Sequence, residues 1–237
     1  MRAGETSRVE AEYELQSIRD NVSANEGSYE TYRKLILIGC GLQTLQQFAG
    51  VNTVNYYFVM IFEEFTGSYS QALLAVSIVY LILTAFSFGF AGKFSTWRRR
   101  PVLILSSGAV SVCCFVLVAF GDMIDSLSYG VAVKVFMYVM YMIAAMGVTI
   151  LPFLVCAEIL PLRIRSFGMA VISVAFWGWN FVLTAMFSSL VNWFGGSNEV
   201  MLLFGVATLV GVVFIWACVP ETYSGSLEDI EKKLMRS

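Results

Sequence analysis

Long apolar runs separated by short polar breaks make up most of this chain. Six of them follow one another at 35–62, 71–92, 101–120, 129–157, 167–192 and 200–219. Each exceeds the roughly 18 residues that an α-helix needs to cross about 30 Å of hydrocarbon. Barrel strands would instead alternate polar and apolar residues in segments of about ten. A bilayer accepts helices or closed barrels only, because every backbone polar group must be satisfied without water. The pattern therefore predicts an all-α, polytopic membrane protein with six transmembrane helices over 35–219. Residues 1–34 form a polar cytoplasmic linker, and 220–237 a short charged cytoplasmic C-terminal helix. Within the linker, Ala11, Leu15, Ile18 and Val22 share one stripe, which predicts an amphipathic helix over 5–22.

The distribution of charge sets an orientation. Lys93, Arg98, Arg99, Arg100, Arg163, Arg165, Lys232, Lys233 and Arg236 all fall on the side of the N-terminal segment. The opposite loops carry Glu63, Glu64, Asp122, Asp125 and Glu199. This asymmetry predicts a multi-pass protein with both termini cytoplasmic. Lys134 departs from the pattern and is expected to snorkel from a helix end.

With 58% hydrophobic and 14% charged residues, the chain has too little polarity to coat a water-soluble globule. The five cysteines lie within the spans without metal-ligand spacing and read as small apolar packing residues. Neither a metal nor a cofactor nor a nucleic-acid partner is expected. There is no histidine, no H-E-x-x-H and no G-x-S-x-G, so the usual hydrolytic groupings are missing and the chain does not read as an enzyme.

The candidate chemistry sits inside the first span, in QQFAGVNTVNYY at 46–57. Helical projection places Gln43, Gln46, Gln47, Gly50 and Tyr57 within a sector of about 100°. Carboxamides facing lipid would cost several kcal/mol each, so this face must meet protein or water. Asn52 points to the other side of an ideal helix. Either it bonds a different neighbour, or the helix breaks between Gly50 and Asn52. Broken helices are one way in which transporters present polar groups to a midplane cavity. An amide offers donors and acceptors without net charge, which suits a neutral polyhydroxylated solute. The transport reading expects these amides to turn toward a water-filled cleft; the competing reading is hydrogen bonding between helices. At the end of the fourth span, Glu158, with Arg165 seven residues on and an arginine cluster in a neighbouring loop, forms a candidate ion-pair latch. The competing reading there is arginines that hold loops in the cytoplasm.

The string QQFAGVNTVNYY resembles the QQ-x-x-G-x-N-x-x-x-YY signature of the seventh helix in the sugar porter family of the major facilitator superfamily. Glu158, Pro161, Arg165 and Gly168 resemble that family's E-x-x-P-x-x-x-R-x-x-G after helix ten. Arg99 and Arg100 resemble the arginine pair between helices eight and nine. Pro220, Glu221 and Thr222 resemble the terminal PET motif.

The resemblance implies half of a major facilitator fold, helices seven to twelve of twelve, and a need for an N-terminal six-helix half. It implies transport of a hexose across the plasma membrane by alternating access. Alternatives are an inositol or polyol proton symporter, a non-transporting sensor and a degenerate fragment. The implied partners are a small sugar or polyol and the lipid bilayer. By resemblance, Gln46, Gln47 and Asn52 hydrogen-bond the sugar, and Phe153, Trp177 and Asn180 line its cavity. Tyr56 and Tyr57 belong to an extracellular gate, and Arg99, Arg100, Glu158, Arg165 and Glu221 to a cytoplasmic latch. The sequence departs from the family in the loop Ser95 to Arg100, where an Asp and a Gly are lost, and at Ile150, where a proline is usual. The helix-ten acid and helix-eight asparagine of hexose facilitators have no counterpart.

Overall fold

The computed structural model describes residues 29–94, 97–125 and 130–222. The helices expected over 5–22 and beyond 222 lie outside the described residues. Seven helices occur among the described residues: α1 (Tyr29–Phe48), α2 (Val51–Thr66), α3 (Tyr69–Phe94), α4 (Arg99–Asp125), α5 (Gly130–Ile159), α6 (Leu162–Phe194) and α7 (Ser197–Cys218). No strand is present among them.

Helices α3 to α7 are each long and apolar enough to span a membrane. The first predicted span is instead the pair α1 and α2, and the break has a local cause. Gly50 adopts φ 79° and ψ −4°, a left-handed conformation that glycine enters without a Cβ penalty. The Gly50 N–H turns back to the carbonyl of Gln47 at 2.9 Å, and α2 restarts with Val54 N–H on the carbonyl of Gly50 at 2.8 Å. The freed carbonyl of Ala49 accepts the Tyr141 hydroxyl of α5 at 2.6 Å.

Two helices start well before their apolar runs, by more than one helical turn. α1 begins at Tyr29 and α6 at Leu162, because Arg33, Lys34, Arg163 and Arg165 are good helix formers although they end the hydrophobic pattern. Pro161, with φ −56° and ψ 146°, precedes the first turn of α6, where its fixed φ and missing N–H do no harm.

The core falls into two clusters. One gathers Val54, Phe58, Phe62, Tyr138, Tyr141 and Phe187 around α2 and α5. The other, toward the end carrying the arginines, gathers Leu35, Leu103, Val155, Ile159, Ile172 and Ile215. α4 packs most extensively on α7 and α5, α1 on α6, and α2 on α3. α3 enters the core through Ala72, Val76 and Val79, whereas none of the residues from Leu81 to Phe88 is buried. Lys134 corrects its expectation: it is 1% exposed. It lies on α5 one turn from the buried Tyr138, inside the bundle, so its side chain is enclosed where snorkelling was expected.

α4 is tied to α5 where the two helices cross. The Ser106 hydroxyl donates to the carbonyl of Ala144 at 2.6 Å and accepts the N–H of Val148 at 2.9 Å. These two groups stand four residues apart, the spacing of an intrahelical bond, so the hydroxyl bridges successive turns of α5. Gly147 makes the approach possible, since a Cβ there would lie 2.7 Å from Ser106 Oγ. A cavity of about 240 Å³ opens beside this crossing, among Phe86, Trp97, Leu105, Ser106, Ile143 and Gly147. It is apolar and separate from the amide-bearing segment.

A carboxamide cluster at a helix break

Gln47 is the last-turn amide of α1, and its Oε1 is the centre of the cluster. It accepts from Asn52 Nδ2 at 3.3 Å across the break and from Asn180 Nδ2 of α6 at 3.4 Å. Gln46 Nε2 donates to the carbonyl of Thr149 on α5 at 2.8 Å. Of the two alternatives the sequence left open for Asn52, the helix break is the one that occurs. The break lies at Ala49 and Gly50, one residue before the expected place, and it turns Asn52 back onto Gln47.

The cluster is more enclosed than the transport reading expects. Gln46 is 3% and Gln47 0% exposed, so these amides do not line an open cleft within this chain. The reason is that α5 and α6 close on both sides of the break. The cluster is nevertheless incompletely bonded: among the described residues, Gln46 Oε1 and Gln47 Nε2 are enclosed without a protein hydrogen bond. Buried polar atoms in folded proteins almost always find a partner, and each one left without costs about 1–3 kcal/mol.

Asn52, half-buried, forms the rim. Phe153 is also half-buried and meets Phe176 edge-on with centroids 5.1 Å apart. Trp177 packs on the same Phe176 at 5.1 Å but is 62% exposed, outside the amide cluster.

The two tyrosines diverge. Tyr57 stacks on Phe187 with centroids 4.5 Å apart, and its hydroxyl donates to the carbonyl of Thr184 at 2.9 Å. Tyr56 is 60% exposed. α6 thus grips both sides of the break, α1 through Asn180 and α2 through Thr184 and Phe187.

At the arginine-bearing end, Glu158 Oε1 accepts from Arg99 Nε at 3.3 Å and Nη2 at 3.2 Å, and its Oε2 accepts the Thr222 hydroxyl. Glu221 accepts the backbone N–H of Arg99 at 3.0 Å and pairs with Arg98 at 3.4 Å. α4, α5 and the segment after α7 are tied in this way. Two expected members are placed differently. Arg165 donates through Nε and Nη2 to the carbonyl of Leu160, each at 3.1 Å, and does not reach Glu158. Pro161 lets that carbonyl turn out of the helix, where a guanidinium five residues on covers it. Arg100 donates to the carbonyl of Trp216, at the end of α7, where a cation offsets the negative end of the helix dipole.

Sequence reasoning missed Tyr141, Thr149, Thr184, Ser106 and Arg98. The first four supply a backbone carbonyl or a hydroxyl to one, which residue identity does not announce. Arg98 was visible as the first of three consecutive arginines.

The sequence profile of the sugar (and other) transporter family matches residues 4–234. The chain belongs to this family. Among its relatives, the galactose–proton symporter of Escherichia coli K12 is 29% identical over 248 residues, covering 100% of this chain and 52% of that protein. A facilitated trehalose transporter of Apis mellifera ligustica is 32% identical over 222 residues, covering 89% of this chain and 43% of that one. Among solved structures, the proton:xylose symporter XylE bound to 6-bromo-6-deoxy-D-glucose superposes with a TM-score of 0.73 at 24% identity. That match covers 95% of this chain and 49% of XylE. XylE from E. coli in its inward-open conformation gives a TM-score of 0.70 at 21% identity, over 92% and 46% of the two chains. The fold is that of half a major facilitator transporter, and the chain spans about half the length of the relatives it matches.

Proposed function

We propose that this chain is the solute-binding half of an alternating-access transporter for a sugar, a hexose in the first instance. It corresponds in this reading to helices seven to twelve and works with an N-terminal six-helix half that closes the other side of the cavity. The observation that carries the reading is the half-satisfied amide cluster. A purely structural network in a bundle core would be expected to complete its hydrogen bonds, because partial satisfaction is costlier than an apolar core. Here the open valences of Gln46 and Gln47 gather beside a glycine break and a half-buried Asn52. When the break flexes, sugar hydroxyls replace Asn52 and Asn180 on Gln47 and fill the unused positions. The relatives' names, which give galactose and trehalose as cargo, support a neutral polyhydroxylated solute.

In the same reading, Phe153 and Trp177 offer ring faces to the solute, and Tyr57 and Tyr56 on α2 form the extracellular gate. Arg99, Glu158 and Glu221, with Arg98 and Thr222, hold the cytoplasmic ends together in one of the two alternating states. Arg100 and Arg165 act by fixing helix ends. The arginine-bearing end faces the cytoplasm in this reading, which the positive-inside asymmetry supports, and the plasma membrane is the proposed address.

Equilibrium binding of labelled glucose, galactose and xylose to the purified chain in lipid nanodiscs tests the reading. Saturable binding is expected, and Gln47→Ala should weaken it about tenfold, as loss of one or two hydrogen bonds predicts. Wild-type protein without saturable sugar binding would refute the assignment.

A further inference from the structure

We propose that Asn55 and Tyr80 form a second hydrogen-bonding station for the solute, one helical turn beyond the amide cluster, which fits the protein to a disaccharide. The inference rests on the transport reading and extends its site.

α2 has two unlike faces. Val54, Phe58, Ile61 and Phe62 are buried in the core. Asn52, Asn55, Tyr56, Met60 and Glu63 form a stripe at helical spacing along the uncovered side, half-buried at the two asparagines and exposed beyond them. Asn55 follows Asn52 by three residues, about 4.5 Å along the axis, roughly the length of one sugar ring. Tyr80 reaches over from α3 and donates to Asn55 Oδ1 at 3.3 Å and to the Asn55 backbone carbonyl at 3.4 Å. Its ring leans edge-on against Phe58, with centroids 5.9 Å apart, and it stays 39% exposed.

The pair differs from the other polar groups on α3. Ser77, Thr84 and Ser87 each donate to the carbonyl four residues back in their own helix, all at 2.7 Å. Their donors are spent locally, which suits any surrounding. Asn55 Nδ2 has no protein acceptor among the described residues. A carboxamide with open donors, held beside a phenol within a span, requires water or a polar solute next to it. The phenol fixes the oxygen and leaves the donors for an incoming hydroxyl, while its ring gives an apolar face to the sugar C–H groups. A two-ring solute would place one ring on Gln46, Gln47, Asn52 and Asn180, and the second between Asn55 and Tyr80. Asn55 falls on an unspecified position of the QQ-x-x-G-x-N-x-x-x-YY signature, so this station is a feature of the chain itself.

The test measures affinity for labelled trehalose, maltose and glucose on the full chain in nanodiscs, for wild type, Asn55→Leu and Tyr80→Phe. Wild type is expected to prefer a disaccharide over glucose, and each variant to lower that preference about fivefold, the worth of one hydrogen bond. A size-exclusion profile and thermal melt accompany each variant. Equal loss of affinity for one-ring and two-ring sugars, or no loss for either, would overturn the second station while leaving the first intact. Wild-type protein that binds no sugar overturns the transport reading, and the second station falls with it.

Discussion

Arg99 holds Glu158 through two nitrogens of one guanidinium, Nε at 3.3 Å and Nη2 at 3.2 Å, across fifty-nine residues of sequence. Both side chains are mostly enclosed, with 9% and 25% of their surfaces exposed. The nearby Arg98 to Glu221 pair is different, because Arg98 is 68% exposed. Glu158→Gln should cost about 2 kcal/mol, between the values for exposed and buried pairs, whereas Arg98→Ala should cost under about 1 kcal/mol. Denaturant titration of the reconstituted chain measures both, and equal losses would show that the enclosed pair is not the stronger tie.

Gly50→Ala meets two obstacles. Its φ of 79° disfavours a Cβ, and that Cβ would lie 2.4 Å from Phe204 Cδ2. The expected loss is about 3 kcal/mol, of which the backbone part is about 1–2 kcal/mol. In a Phe204→Ala background the steric part should vanish and the backbone part persist. A double-mutant cycle in thermal stability reads the two apart; strict additivity would mean that the glycine is not pressed against Phe204.

Tyr57 offers a ring and a hydroxyl that act separately. Tyr57→Phe keeps the stack on Phe187 and loses the bond to the Thr184 carbonyl, for about 1 kcal/mol. Tyr57→Ala loses both and should cost about 3 kcal/mol or more. Matching losses in an unfolding assay would assign the whole contact to the hydroxyl.

Ser106 gives an unusual contrast. In Ser106→Ala the carbonyl of Ala144 and the N–H of Val148, four residues apart in α5, retain each other as partners, so stability should fall by under about 1 kcal/mol. Ser106→Val brings a methyl against Gly147 and should cost about 2–3 kcal/mol. The reverse order, read from the two melting curves, would argue against the bridging hydroxyl.

Hydropathy made most of the fold legible. Five of the six apolar runs correspond to continuous helices, because a bilayer leaves a long apolar run little else to become. The sixth was legible as a problem before it was legible as a structure: Asn52 could not share a face with Gln43, and only a break at Gly50 reconciles them. Lys134 was misplaced because hydropathy counts a charge without knowing what surrounds it. Arg165 was misplaced because charge pairing was inferred from opposite signs in sequence, whereas the Leu160 carbonyl, exposed just before Pro161, lies nearer. The contacts made by Thr149, Thr184 and Ala49 are through the backbone, and no residue code records them.

The C-terminal half of α3 has a consequence for biogenesis. With none of its side chains buried from Leu81 to Phe88, this stretch gains little from its own bundle. Its position depends on partitioning into lipid and on whatever later packs beside it, in keeping with a two-step order of insertion followed by association. A charge introduced there would register first as failed translocon delivery, before any loss of cohesion among the finished helices.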